Sequence, residues 1–158
     1  MLQQIVGMGH VVLSFILSIY FLWAPAALDF YYLMYFLLLN ISWSLMKNEC
    51  LVSYLFKILE NPKYKMGSTS DVADYDSVLG THKAGIFLNY ILVMYLINIV
   101  AIAIRNKDFR EKILIISAGI SYLLYVGMLR TANDEQKEVL KSTNMFIMTL
   151  ILSAFLYK

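Results

Sequence analysis

Five stretches of the chain carry no Asp, Glu, Lys or Arg and are dominated by aliphatic and aromatic side chains: residues 1–28, 30–46, 84–104, 113–129 and 142–157. A helix crosses the hydrocarbon core of a bilayer with roughly 17–25 mostly apolar residues. Each stretch therefore predicts one spanning helix, the first narrowed to about residues 4–23. Barrel strands would alternate apolar and polar side chains, and the run ILVMYLINIVAIAI over residues 91–104 does not. A helix also satisfies its own backbone groups where no water is present. The second, fourth and fifth stretches are short and rely on amphipathic end residues such as Tyr31, Trp43, Tyr122, Tyr125 and Tyr157, which suit headgroup depth. The first stretch ends in Ala24-Pro25-Ala26, as a cleaved signal would, but its apolar run is long and no basic segment precedes it. It is read as a span.

Between the second and third spans the pattern changes. Leu51, Val52, Leu55, Ile58 and Leu59 fall on one side of a helix, with Lys57 and Glu60 elsewhere. This predicts a short amphipathic helix over residues 49–60 lying in the membrane interface, stopped by Pro62. Residues 61–82 read as a polar loop. The expected fold is all-α: a polytopic membrane helical bundle of five transmembrane helices plus one interfacial helix, forming a single domain over residues 1–158.

Composition sharpens this picture. The chain is 60% hydrophobic and only 15% charged, against about 25% charged in soluble domains. The net charge of +2 comes without a basic stripe, which excludes nucleic acid as a partner. A lone cysteine, Cys50, excludes an intrachain disulfide and a cysteine-rich metal site. Eight Lys and Arg fall on the face shared by residues 47–83 and 130–141, against five on the other, a small bias toward a cytoplasmic placement of the first face.

Candidate chemistry is sparse. His10 lies about two turns inside the first span and His82 just before the third, on the same face; a pair of histidines suits haem or metal, but no second ligand pattern accompanies them. No cofactor and no metal is expected. Asn40, Asn89, Asn98 and Asn144 are in-span amides that read as interhelical hydrogen-bonding groups. Ser14 and Ser18, like Ser117 and Ser121, are small residues one turn apart that allow close helix packing. Asp71, Asp74 and Asp76 do not match a calcium loop and read as a solvated acidic segment.

The densest polar stretch is WSLMKNECLVSY, residues 43–54. Trp43 serves there as a belt residue and Lys47 as a snorkelling cation. Asn48 caps the next helix, and Glu49 complements its positive N-terminal end. Cys50 is a nucleophile only if a cation or histidine lowers its pKa, and a juxtamembrane cysteine is also a palmitoylation candidate. The succession Trp43, Asn48-Glu49-Cys50, Ser53-Tyr54 and then NPKYKMGS resembles small multi-span membrane proteins of large DNA viruses. It is also similar to bacterial inner-membrane proteins carrying C-P-L-T-x-x-E, with Cys50-Leu51-Val52-Ser53 in place of C-P-L-T. The viral resemblance implies a virion or host membrane. Neither family supplies a catalytic role.

The sequence thus leads to a non-enzymatic structural component of a membrane, partnered by the lipid bilayer, by capsid or other membrane proteins, or by itself. The alternatives are an oligomeric channel or small-solute transporter, and a membrane thiol or redox protein using Cys50 with His10 or His82. The candidate interaction residues are Trp43, Asn48, Glu49, Cys50, Tyr54, His10 and His82.

Overall fold

A computed structural model describes residues 2–47, 49–69, 72–129 and 133–157. Among them all regular structure is helical: α1 (Leu2–Ser18), α2 (Tyr20–Trp23), a single 3-10 turn (Ala26–Leu28), α3 (Asp29–Leu45), α4 (Leu51–Glu60), α5 (Ala73–Leu79), α6 (Thr81–Arg105), α7 (Phe109–Leu129) and α8 (Asp134–Leu156). The segments Ala26–Leu45, Thr81–Arg105 and Glu135–Leu156 are long and apolar enough to cross a membrane, and Gln4–Ser18 is a shorter apolar helix.

Buried polar residues and a large exposed apolar surface accompany the apolar core. The stripe Gly7, Ser14 and Ser18 on α1 is buried, while Ile5, Met8, Val12, Leu13, Phe15 and Ile16 face outward. Asn40, Asn98, Ser121 and Asn144 are buried, whereas Ile104 is 75% exposed. A large outward apolar surface is the surface a lipid solvent requires. Inside, α3 forms the centre through Tyr32, Leu33, Phe36 and Leu37, packed against α6, α7 and α8. Gly119 lets α7 approach α6, since a Cβ there would lie 3.2 Å from Ile99 Cγ2. Asn144 joins three helices: it accepts from Ser121 Oγ at 2.9 Å and donates to Ser44 Oγ at 3.3 Å.

Three features differ from the sequence expectations. The first stretch is not one helix but breaks at Ile19, between α1 and α2. Asn98 of α6 splints the break: its carbonyl accepts the Phe21 N–H at 3.0 Å, and its amide donates to Leu17 O, Ser18 O and Tyr32 Oη. Asn40, by contrast, donates within its own helix, to Phe36 O at 2.8 Å, rather than between helices. Finally, the segment expected to be a polar loop contains α5. Asp74 and Asp76 sit in its first turn, where carboxylates favour the helix dipole, and Gly80 ends it with φ of 76°.

At the far end of the bundle the turn between α2 and α3 is tied to α6. Tyr20 donates to Asp29 Oδ1 at 2.8 Å, and Arg105 reaches Asp29 at 3.6 Å and Ala24 O at 2.9 Å.

A Cys-His-Asp constellation as the candidate functional site

Three side chains distant in sequence meet where α1, α4 and α5 converge. His10 Nδ1 pairs with Asp74 Oδ2, and His10 Nε2 lies 3.6 Å from Cys50 Sγ. Each helix contributes through its own geometry. On α1, the stripe that buries Gly7 and Ser14 also turns His10 inward. Gly7 makes the approach of α5 feasible, because a Cβ there would lie 2.7 Å from the Asp74 carbonyl oxygen. Tyr75 secures the same contact: its hydroxyl and Ser14 Oγ are 2.6 Å apart, and its ring stands 4.8 Å from the His10 imidazole. On α4, Cys50 is the residue immediately before the first turn, with extended backbone angles (φ −74°, ψ 142°).

The electrostatics lower the pKa of the Cys50 thiol. Burial opposes ionisation of Cys50, but the bond to His10, the imidazolium charge and the N–H groups of Val52 and Ser53 outweigh it and hold the thiol below its ordinary pKa. Burial likewise opposes ionisation of Asp74, yet its bond to His10 keeps the carboxyl below the usual aspartate range. The Ser53 hydroxyl adds to this without a bond of good geometry, as Asp74 Oδ1 and Ser53 Oγ both lack a close partner. The order Asp74, His10, Cys50 is that of orienting carboxylate, acid–base imidazole and nucleophile. Helix α4 starts beside Cys50, and its first-turn N–H groups have no intrahelical acceptor; those of Val52 and Ser53 turn to the sulfur. Both nitrogens of His10 are engaged, and among the described residues no cluster of His, Cys, Asp and Glu is disposed to hold a metal ion.

Next to Cys50, the charge of Glu49 is matched from within. Glu49 Oε1 accepts from Lys57 Nζ at 3.2 Å and from the Tyr64 hydroxyl, and Lys57 also donates to Thr69 Oγ1 at 2.9 Å. Glu49, expected to complement the helix dipole, is also one half of an ion pair, and Lys57, expected away from the leucine face, points into the protein. The face of α4 that turns inward carries Ser53, Phe56 and Lys57; Leu51, Leu55 and Leu59 turn outward. A buried ion pair tolerates low dielectric only when hydrogen bonds complete it, and Tyr64 and Thr69 do so while fastening the segment after α4.

A cavity of about 760 Å³ opens beside the three residues. Trp43 and Glu49 line it together with His10, Cys50, Tyr75 and Tyr95. Trp43 is thus a wall residue as well as an end residue. Tyr54 lies outside the cavity lining, with its ring 6.3 Å from that of Tyr64. His82 is exposed in the first turn of α6 and takes no part in the site. Asn48 and Asp71 lie outside the described residues. The residue that sequence reasoning missed is Asp74, taken for a solvated acid and found buried. Its signal was Val72, Tyr75 and Leu79 at helical spacing around it, which marks an ordered helix rather than an acidic loop. The chain matches no protein-family model, no curated protein and no solved structure.

Proposed function

We propose that the chain is an integral membrane enzyme whose Cys50 acts as a nucleophile, with His10 as its acid–base partner and Asp74 as the group that orients the imidazole. In this reading α1 with α2, α3, α6, α7 and α8 cross the bilayer, and α4 lies at its surface with Leu51, Leu55 and Leu59 toward the lipid. The reaction centre then sits at the interface, at the membrane-surface end of the first span. The observation that carries the proposal is the doubly bonded imidazole, held by Asp74 on one nitrogen and facing the Cys50 sulfur on the other. A thiol function takes precedence over the non-enzymatic scaffold expected from the sequence. Neither the scaffold nor the channel has a contact of comparable specificity behind it among the described residues.

The test exploits the lone cysteine. The purified protein in mild detergent is alkylated with monobromobimane across a range of pH. The wild-type rate should follow a thiolate titrating below about 8.5, the value of an unperturbed thiol. The sign follows from the cause: a cation beside the sulfur stabilises the thiolate, so reactivity persists to lower pH and fades only below the depressed pKa. His10→Gln and Asp74→Asn should both move the midpoint upward. A wild-type midpoint at or above about 8.5, unmoved by either substitution, would overturn the proposal.

A further inference from the structure

The cavity beside Cys50 has two chemically distinct ends. One is apolar, walled by Leu39 of α3, by Leu88, Ile91 and Leu92 of α6, and by Val126 of α7. The other carries Lys47, Lys137 and Lys141 around the carboxylates Glu49 and Glu138. Glu49 is already paired with Lys57, which lies outside the cavity lining, and Glu138 is paired with Lys141 at 2.6 Å, which leaves Lys47 as the cation open to a ligand at this end. Cys50 lines the same space. At about 760 Å³ the space suits one small molecule. A peptide would bring unpaired backbone groups against the Leu and Ile wall, which is costly away from water. A hydrocarbon chain meets that wall without penalty, and an anionic head matches Lys47.

Resting on the thiol-centre reading above, we propose that the enzyme is an acyl transferase or hydrolase whose donor is a long-chain acyl ester or thioester with an anionic head. The chain lies among Leu39, Leu88, Ile91 and Leu92, the carbonyl at Cys50 and the head at the lysine end. The Cys50 thiolate attacks the acyl carbonyl carbon, forming a C–S bond. The bond from that carbon to the leaving oxygen or sulfur breaks, and the leaving group takes a proton from the His10 imidazolium. A water molecule or an alcohol then attacks the acyl-cysteine and gives its proton to His10, and Cys50 departs as thiolate. No electrons are gained or lost overall. Glu49 supplies the acceptor side: its Oε2 is buried, lines the cavity with its residue and has no partner. It is positioned to accept a hydrogen bond from the incoming O–H.

The test incubates the full-length protein in mild detergent with palmitoyl-coenzyme A, with acetyl-coenzyme A and, separately, with phosphatidylglycerol vesicles. Intact mass and hydroxylamine sensitivity report an acyl group on Cys50, and released palmitate reports turnover. The expected result is a palmitoyl-cysteine that Cys50→Ser abolishes, released palmitate in molar excess over protein, and a rate more than tenfold above that with acetyl-coenzyme A. Lys47→Glu should slow reaction with palmitoyl-coenzyme A about tenfold more than with the uncharged para-nitrophenyl palmitate, as expected for a lost charge contact of about 1.4 kcal/mol. Reaction from the vesicles identifies a phospholipid as donor; reaction from palmitoyl-coenzyme A alone identifies a water-borne thioester. Equal rates for acetyl and palmitoyl donors, a stable acyl-cysteine without turnover, or no acylation from any donor would each overturn the proposal. The bimane titration separates these from a failure of the thiol centre, since its depressed midpoint stands or falls independently.

Discussion

Asn98 is the residue on which the junction of α1 and α2 depends, and its removal can be given a magnitude. The backbone between α1 and α2 departs from helical geometry at Ile19 (φ −99°, ψ 20°). Asn98 compensates by accepting the Phe21 N–H at 3.0 Å and donating to Leu17 O at 3.0 Å, Ser18 O at 2.9 Å and Tyr32 Oη at 2.7 Å. In Asn98→Leu these contacts vanish together. Interhelical side-chain hydrogen bonds within membranes contribute about 0.6 kcal/mol each on average. A buried donor left without a partner costs about 1–3 kcal/mol more. The combined loss is about 3–5 kcal/mol, the Phe21 N–H being the largest part. For a chain of 150–250 residues, 1 kcal/mol corresponds to about 2–4 °C in Tm, so a fall of about 6–20 °C is expected. Cys50 is the lone cysteine, which permits a thiol-reactive dye to follow its exposure during heating in mild detergent. A fall of less than about 2 °C, within the ordinary range of a surface substitution, would refute the splint. The break would then be held by packing alone.

Two further substitutions probe the site. Gly7→Ala places a methyl group against the Asp74 carbonyl oxygen and should push α5 from α1. The expected result is a loss of about 1–3 kcal/mol in detergent unfolding together with a higher midpoint for bimane labelling of Cys50, because His10 loses its orienting carboxylate. Lys57→Met leaves Glu49 buried without its cation and should cost about 3–5 kcal/mol, while adding Glu49→Gln should restore much of that loss. A double variant as unstable as Lys57→Met alone would show that Lys57 acts through packing rather than charge.

How much of this was written plainly in the sequence depends on which interaction placed each residue. The all-helical architecture follows from long charge-free runs, and the apolar segments Ala26–Leu45, Thr81–Arg105 and Glu135–Leu156 answer to the second, third and fifth stretches. The break at Ile19 was not legible, because nothing between residues 17 and 21 disfavours a helix; the cause is an amide on α6, some eighty residues away. The polarity of α4 was legible as a pattern, with Leu51, Leu55 and Leu59 sharing an outward side, but the burial of Lys57 was not, because a partner, Glu49, carries it inward.

The site itself illustrates why buried charge escapes a sequence reading. Asp74 reads as solvated from sequence because the three carboxylates match no calcium loop, and an isolated acid is most cheaply left in water. The partner actually present is His10, which lies 64 positions earlier and on a different helix. Only the stripe Gly7, His10, Ser14, Ser18, with its spacing of three and four, hinted that α1 offers a polar groove to something. Polar groups of the same chain can fill such a groove, and the segment between α4 and α6 is conspicuously polar. Reading the two together would have brought Asp74 to His10, and with it the thiol that begins α4.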